Sequence, residues 1–483
     1  MIVGNRVRAA VAVGALAVLL GVEAQTLHLG APWLGGGRRL LIAYAIGWAV
    51  FAVAVIALPR LPARQTTALI LGGAAALQVV AVCFAPTTTD DFYRYVWDGT
   101  VQAHGIDPYR YTPLDPALKP LRDPWLFPTG PVATGLVEAS PAKGWIDACT
   151  YAGVPHDCTR INRPTVHTIY PPVAEAAFTG LHWISPHGLR RQSVQVFAAA
   201  LAWLTAAALI VALRRWGRDL RAAAWWAWCP TVWLECGNNA HIDVLGILLL
   251  VGTFGLLNGS AARYAIAGAL FGAAVAVKLV PALVAPALAG KRERLRRARN
   301  ERGAQASNGR NWVFFGSAAA VFLMGYLPHL LAVGTDVIGY LPGYLHEEGY
   351  SGQERFGVLG LEFPRAWTPV VATLLLGVAA LVVFRDAARR PPARGALLLA
   401  GIAFVLVGPS QPWYGLLIVA LVVLADRPEW LAVAAAAYPV YLAGTVRVDS
   451  SLMQQRTYLP AACFVLFMAL ARIPVVRRAV RLR

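Results

Sequence analysis

The sequence predicts an all-α polytopic membrane protein. Of its 483 residues, 58% are hydrophobic and only 14% are charged, and the mean hydropathy is +0.55. A soluble chain of this length needs more charge to cover its surface, and a single soluble core stops growing near about 250–300 residues. Apolar runs recur along the whole chain, and a run of about 20 such residues crosses a bilayer as a helix.

The basic residues lie in short segments between the apolar runs. The formal net charge is +18, and its main clusters are at 59–64, 214–221, 291–303, 385–394 and 472–483. Such an arrangement is typical of cytoplasmic loops, so we expect a multi-pass plasma-membrane protein with both termini in the cytoplasm. No nucleic-acid-reading module accompanies the charge, which argues against nucleic-acid binding and favours the lipid bilayer as the partner.

Placing the basic loops inside divides the chain into about 14 membrane segments. They are predicted near 8–27, 40–58, 66–86, 192–213, 220–236, 241–257, 262–290 (two short helices), 311–331, 366–385, 395–408, 413–426, 429–445 and 457–474. The stretch 262–290 is too short for two full spans at about 1.5 Å per residue, so we predict a break at 278–281. The whole chain, 1–483, is expected to form one membrane domain, with an extracytoplasmic insertion at 87–190.

An acidic and aromatic segment follows the third predicted span. Its side chains are Asp90, Asp91, Phe92, Tyr93, Tyr95, Trp97 and Asp98. On a helix, Asp91, Tyr95 and Asp98 share one face. Adjacent carboxylates disfavour joint ionisation, so their pKa values should separate, and one of them can accept a proton from a hydroxyl group. The same residue types also suit a helix cap with interfacial aromatics.

A series of segments, in order, resembles the GT-C glycosyltransferases, membrane enzymes that use polyprenyl-phosphate sugars. These segments are the acidic pair with Tyr93, Asp98, Gly105, Pro108 and Tyr109; Tyr-Pro-Pro at 170–172 with Glu175; Asn-Asn-Ala-His-Ile-Asp at 238–243; Lys-Leu-Val-Pro at 278–281; and Gln-Pro-Trp-Tyr at 411–414. The resemblance spans about 66–430 and is closest to the mannosyltransferase-like branch. The chain departs from it in having two additional spans within 1–65 and no family pattern at 114–168.

The resemblance implies a GT-C-like helical bundle with a large extracytoplasmic first catalytic loop. It implies inverting transfer of a sugar, mannose or a similar pentose or hexose, from a polyprenyl-phosphate donor to a hydroxyl of a cell-envelope glycan or glycolipid. Asp90 or Asp91 would be the general base, and the spacing to Gly105 favours Asp90. Asp98 is expected to cap a helix or bind Arg110. A divalent metal is compatible with the acidic pair, but the resemblance requires no cofactor.

Several further polar residues are expected to contact the substrates. They are Arg94, Tyr95, Tyr170, His241, Asp243, Lys278, Gln411, Trp413 and Tyr414. A cation must meet the donor phosphate, and the candidates are Lys278, Arg94, Arg447, Arg456 and His241. Some of these residues also have a structural alternative: helix capping for His241 and Asp243, snorkelling for Lys278, and an interfacial turn for 411–414.

Two other loop features are predicted. Cys149 and Cys158 lie together in the longest polar loop and form a disulfide if that loop faces an oxidising compartment. The polar loop 346–357, with glycines at its bends, is expected to act as a flap.

Two other functions stay open at this point. A transporter or flippase needs charges along a path through the membrane, and apart from Lys278 the predicted spans are almost free of charge. A non-catalytic scaffold of an envelope-assembly complex would tolerate substitution of the acidic pair.

Overall fold

The computed structural model describes residues 2–30, 36–127, 159–185, 190–257, 260–289, 302–350, 355–387 and 389–472. These residues form helices and turns, with no strand among them, which confirms the predicted all-α class. The chain divides into two units, one from Met1–Pro281 and Arg310–Glu347, the other from Ala282–Gly309 and Glu348–Arg483.

Most of the predicted apolar runs lie in helices, but some helix ends differ from the predicted bounds by up to nine residues. In chain order the longer helices are α1 (Ile2–His28), α2 (Gly37–Ala57), α3 (Ala63–Cys83), α4 (Asp91–Ala103), α5 (Pro172–Ile184), α6 (Arg190–Arg215), α7 (Asp243–Leu256), α8 (Ala261–Val277), α9 (Arg302–Val333), α10 (Leu341–Glu347), α11 (Thr368–Asp386), α12 (Pro392–Val407), α13 (Gly415–Ala425), α14 (Leu431–Tyr441) and α15 (Ser450–Leu470).

Six helical stretches in the described part of the chain are long and apolar enough to cross a membrane. They are Gly4–His28, Gly37–Ala57, Ala63–Cys83, Arg191–Arg215, Gly309–Glu347 and Arg365–Asp386. Four shorter apolar helices accompany them: Asp243–Leu256, Ala261–Val277, Pro392–Val407 and Pro412–Ala425. The protein is therefore a multi-pass membrane protein, and the count of about 14 membrane segments, two of them short, stays a prediction.

The predicted span at 220–236 is wrong as a continuous helix. The chain instead forms short turns, among them the helical turns Ala224–Ala227 and Pro230–Val232, and then a π-helix at Trp233–Asn238. Cys229 is extended, with ψ 133°, and the following proline has no N–H to continue the helix. A wide π turn is typical of functional sites, and this one leads directly to His241.

The predicted break at 278–281 is confirmed. Helix α8 ends at Val277, and Lys278 is extended, with φ −154° and ψ 139°. A short 3-10 turn, Val280–Val284, follows. Upstream, a Cβ added at Gly268 would lie 2.0 Å from the carbonyl oxygen of Phe314 in α9. Helices α8 and α9 thus pack through small residues, as membrane helices commonly do.

Helix α4 packs closely on α5. A Cβ added at Gly99 would lie 2.4 Å from the carbonyl oxygen of Phe178, and the ring of Tyr95 stacks on the ring of Phe178 with centroids 4.5 Å apart. Another side of α4 contributes to a small apolar cluster with the segments after it; the buried members are Trp97, Val101, Leu118, Leu126, Phe127 and Ile161. The start of α4 is thereby fixed from two sides.

The second unit contains α11–α15. Every residue of α13 is buried, which accounts for its continuous apolar sequence. The hydroxyl of Tyr458 donates to the carbonyl oxygen of Pro409 at 2.7 Å, and Arg472 forms a two-point ion pair with Glu429 at 2.7 and 3.0 Å.

Candidate active site

The two adjacent aspartates share a single amide. Asp90 immediately precedes α4 and Asp91 is its first residue. The Nδ2 atom of Asn162 donates to Oδ1 of Asp90 at 2.7 Å and to Oδ1 of Asp91 at 2.8 Å. A primary amide has two N–H bonds, so one side chain can hold both carboxylates. This bridge fixes the acid pair at the start of α4.

The environment of Asp90 makes it a stronger base than an ordinary aspartate. Burial, and next the negative charge of Asp91, raise the pKa of Asp90 to about 6, although the hydrogen bond from Asn162 opposes this shift. This is the effect that the sequence predicted for adjacent carboxylates. Asp90 is ionised at neutral pH, and a base with a pKa near the working pH is well suited to proton transfer.

His241 lies buried beside the acid pair. Its Nδ1 atom is 3.7 Å from Oδ2 of Asp91, and its Nε2 atom is 3.5 Å from Oε2 of Glu235. Burial, with a smaller effect from the charge of Lys278, lowers the pKa of His241 well below its usual value. Contact between His241 and the substrates stays a prediction.

Lys278 forms a second polar group near the acid pair. Its Nζ atom donates to Oδ2 of Asp243 at 3.0 Å, and the two side chains are only 15% and 8% exposed. The same Nζ atom is 5.7 Å from the ring centroid of Tyr170, and the charge of Asp91 also acts on it. The first unit therefore brings three separate sequence segments, around positions 91, 243 and 278, into one site.

Two of the aromatic residues predicted to contact the substrates, Tyr95 and Tyr170, pack against each other in this part of the protein. The rings of Tyr95 and Tyr170 meet edge to face, with centroids 5.1 Å apart, and both residues are buried. The hydroxyl of Tyr109 donates to the carbonyl oxygen of Tyr170 at 2.6 Å. These contacts hold the Tyr-Pro-Pro segment against α4.

Arg94 is held within the protein by Asp98. Its Nε atom donates to both carboxylate oxygens at 2.9 and 3.0 Å, and the two side chains are only 6% and 3% exposed. The expected partnership of Asp98 with Arg110 is wrong, because Arg94 is four residues away on the same helix and Arg110 instead donates to the carbonyl oxygen of Ala332. Arg94 is thus paired with Asp98, and its expected contact with the substrates stays a prediction.

Glu175 joins α5 to α4. Its two carboxylate oxygens accept hydrogen bonds from Thr168 at 2.7 Å and from Gln102 at 2.8 Å. Burial, and then the charge of Asp98, raise the pKa of Glu175 well above its usual value. A buried carboxyl group with these partners helps to position the two helices.

The two asparagines of the 238–243 segment hold the chain that leads to the acid pair. Oδ1 of Asn238 accepts hydrogen bonds from the backbone N–H and the hydroxyl of Thr87, at 3.1 and 3.0 Å. Nδ2 of Asn239 donates to the hydroxyl of Thr88 at 2.7 Å. Their role is to position the segment before Asp90, a task that the sequence did not reveal.

The sequence also missed Asn162 and Arg163. Both lie in the part of the outer loop that has no family pattern. Arg163 has a left-handed backbone, with φ 48°, and its guanidinium binds Glu347 of α10. The available signal was an Asn-Arg-Pro sequence a few residues before Tyr-Pro-Pro, because it places an amide and a basic side chain on the predicted catalytic loop.

The predicted contacts at 411–414 belong to the second unit. Gln411 donates through Nε2 to Glu348, and Arg355 binds the same carboxylate. The ring of Trp413 meets Tyr414 and Tyr441 edge to face, with centroids 6.1 and 5.8 Å apart. Substrate contact by 411–414, by Arg447 and by Arg456 stays a prediction, as does the flap at 346–357, of which 351–354 are outside the described residues.

Cys149 and Cys158, the predicted disulfide pair, also lie outside the described residues. Among those that the structure describes, no group of three His, Cys, Asp or Glu residues could hold a metal ion.

Comparison with known proteins identifies one family. A profile of the family described as Glycosyltransferase family 87 matches residues 168–409, half of the chain. No curated protein and no solved structure matches the chain. The matched segment contains Tyr170, His241, Asp243 and Lys278, but it begins after the acid pair.

Proposed function

The chain belongs to glycosyltransferase family 87, and from this premise we propose that it transfers a sugar from a polyprenyl-phosphate donor to a hydroxyl acceptor. Mannose is the first candidate for the sugar, and a cell-envelope glycan or glycolipid for the acceptor. The basic loops favour a site on the extracytoplasmic face. The observation that carries the proposal is the acid pair, which a single amide holds beside His241 and the Lys278–Asp243 ion pair.

The proposed reaction is a single displacement with inversion. The carboxylate of Asp90 accepts the proton of the acceptor hydroxyl as its oxygen forms a bond to the anomeric carbon. The bond from that carbon to the phosphate oxygen breaks on the opposite face, and its electron pair leaves with the polyprenyl phosphate. The carboxylate of Asp91 stabilises the positive charge that develops on the sugar ring.

The donor class is tested with purified full-length protein in detergent. We expect sugar transfer to a short acceptor from a short-chain polyprenyl-phosphate mannose, and none from the nucleotide-linked sugar. A panel of polyprenyl-phosphate hexoses and pentoses then identifies the sugar from the initial rates. Transfer from the nucleotide sugar, with none from any lipid-phosphate sugar, would overturn the proposal.

The pH dependence of an Asp91→Asn variant tests which aspartate is the base. The negative charge of Asp91 raises the pKa of Asp90, so its removal should lower that pKa. A base must be ionised, and the wild-type rate is therefore expected to fall about tenfold per pH unit below about pH 6. In the variant, the remaining activity should keep this acidic limb but shift it to lower pH.

The readout is the pH–rate profile between about pH 4.5 and 8, since its shape is independent of the variant's overall rate. An acidic limb that stays in place or moves to higher pH contradicts the assignment. Complete loss of transfer at every pH, together with an active Asp90→Asn protein, assigns the base to Asp91 instead.

A further inference from the structure

An exposed ion pair lies at the edge of the candidate site. The Nε atom of Arg163 donates to the two carboxylate oxygens of Glu347 at 2.9 and 2.7 Å. Its Nη2 atom donates to Oε1 of the same carboxylate at 2.6 Å. The two side chains are 36% and 41% exposed, whereas those of the Arg94–Asp98 pair are 6% and 3% exposed. Exposed ion pairs contribute little to stability because water competes for both charges. Arg163 can therefore exchange its partner, and Arg94 cannot.

The position of Arg163 connects it to the reacting groups. The preceding residue, Asn162, binds both aspartates. The charge of Arg163 acts on Asp90, and the charge of Asp91 acts on Arg163. The cation therefore lies close enough to the acid pair to act on it electrostatically, as a cation that binds the leaving phosphate must.

The ring of Tyr344 connects Arg163 with the second cation of the site. The ring centroid of Tyr344 lies 5.9 Å from Cζ of Arg163, and Tyr344 also interacts electrostatically with Lys278. Two cations thus interact with one residue of α10. Of the two, Lys278 already has a buried carboxylate partner in Asp243. Arg163 is the one with an exchangeable partner.

The backbone of Arg163 is also unusual. Its φ of 48° lies in the left-handed region, which residues other than glycine adopt rarely and at some energetic cost. The chain keeps this conformation directly beside Asn162. Two consecutive side chains can then take separate roles: that of Asn162 binds the two aspartates, and that of Arg163 lies at the edge of the site.

We propose that Arg163 binds the phosphate of the lipid-linked donor and that Glu347 holds its guanidinium until the donor arrives. This inference rests on the proposed function. A carboxylate and a phosphate offer the same pair of acceptor oxygens to the guanidinium fork, so the donor phosphate displaces Glu347. The other end of α10 stays attached, because Tyr340 donates its backbone N–H to the carbonyl oxygen of Thr168 at 3.3 Å.

Equilibrium binding of a short-chain polyprenyl phosphate to the full-length protein tests the assignment without requiring transfer. Arg163→Met should weaken binding about tenfold or more, and Glu347→Gln should tighten it about three- to tenfold, because it removes the competing carboxylate. In the Arg163→Met background, Glu347→Gln should have no effect. Arg163→Lys, which keeps the charge without the fork, should give an intermediate affinity.

Two controls sharpen the result. Glu362→Gln removes one exposed carboxylate elsewhere in the chain and should leave the affinity unchanged. Phosphatidic acid, a phosphate on an ordinary bilayer lipid, should bind more weakly and should not respond to the Glu347 substitution. An equal response to phosphatidic acid assigns the site to bilayer lipid and overturns the proposal.

The outcomes separate the two hypotheses. Suppose that the wild type binds polyprenyl phosphate. If Glu347→Gln then leaves the affinity unchanged, weakens it, or tightens it equally in the Arg163→Met background, the role proposed for this ion pair is wrong. The proposed donor class is not affected by that result. If the wild type does not bind polyprenyl phosphate, the proposed donor and this assignment both fail.

Discussion

Replacing Asp90 with asparagine should lower the rate of sugar transfer at neutral pH by a factor of about 10²–10⁴. The substitution removes the carboxylate that accepts the proton of the acceptor hydroxyl, while the shape of the side chain is unchanged. The amide oxygen of the new residue can still accept the hydrogen bond from Asn162, so the start of α4 should keep its geometry. The measurement is the initial rate with both substrates at saturation.

The control for this prediction is substrate binding. Polyprenyl phosphate should bind to the Asp90→Asn protein with its wild-type affinity, because the donor phosphate contacts other residues. The melting temperature in detergent should also stay within a few degrees of the wild type, or rise, because an isosteric neutral group replaces a half-buried charge. A variant that binds donor and retains more than about a tenth of the wild-type rate would exclude Asp90 as the base.

Replacing Lys278 with methionine should strongly destabilise the protein. Its Nζ atom lies 3.0 Å from Oδ2 of Asp243, and both side chains are largely buried. Removing one partner of a buried ion pair leaves an uncompensated charge, which typically costs about 3–5 kcal/mol of unfolding free energy. The double variant Lys278→Met with Asp243→Asn should recover most of this loss, because neither side chain is then charged. Thermal unfolding of the purified proteins in detergent measures the difference.

The same double variant separates stability from catalysis. If the Lys278–Asp243 pair only supports the fold, transfer activity should return together with stability. If Lys278 also supplies positive charge to the donor phosphate, activity should stay low in the stable double variant. Equal stability of the wild type and the Lys278→Met protein would show that the pair contributes nothing to the fold.

The sequence predicted much of this architecture because apolar runs and helix breakers are local signals. The run at 40–58 corresponds to α2, and the short stretch at 262–290 breaks at Lys278 as expected. The acidic segment was predicted as part of a loop, although Asp91, Tyr95 and Asp98 would share one face of a helix, and the structure shows that helix. An apolar run, however, does not show whether it forms one unbroken helix. The segment at 220–236 is apolar enough to span, but Pro230 divides it.

The site was harder to predict because its partners are distant in sequence. Asp91 and His241 both belong to patterned segments, and the sequence nominated both. Asn162 is some seventy residues from the aspartates that it binds, in a segment without periodicity or repeated residue types. Nothing local distinguishes a bridging amide from an ordinary loop asparagine. The same holds for Asp98, whose choice of Arg94 over Arg110 depends on how α4 is packed.

The close approach of α4 and α5 at Gly99 limits what can move during a reaction. The carbonyl oxygen of Phe178 leaves no space for a side chain at this position, so α4 cannot rotate or slide along α5 without a clash. The helix that carries the acid pair is thus set by packing before any substrate binds. For the proposed reaction, this packing should leave little reorganisation energy for the chemical step, because the two carboxylates are already held in place.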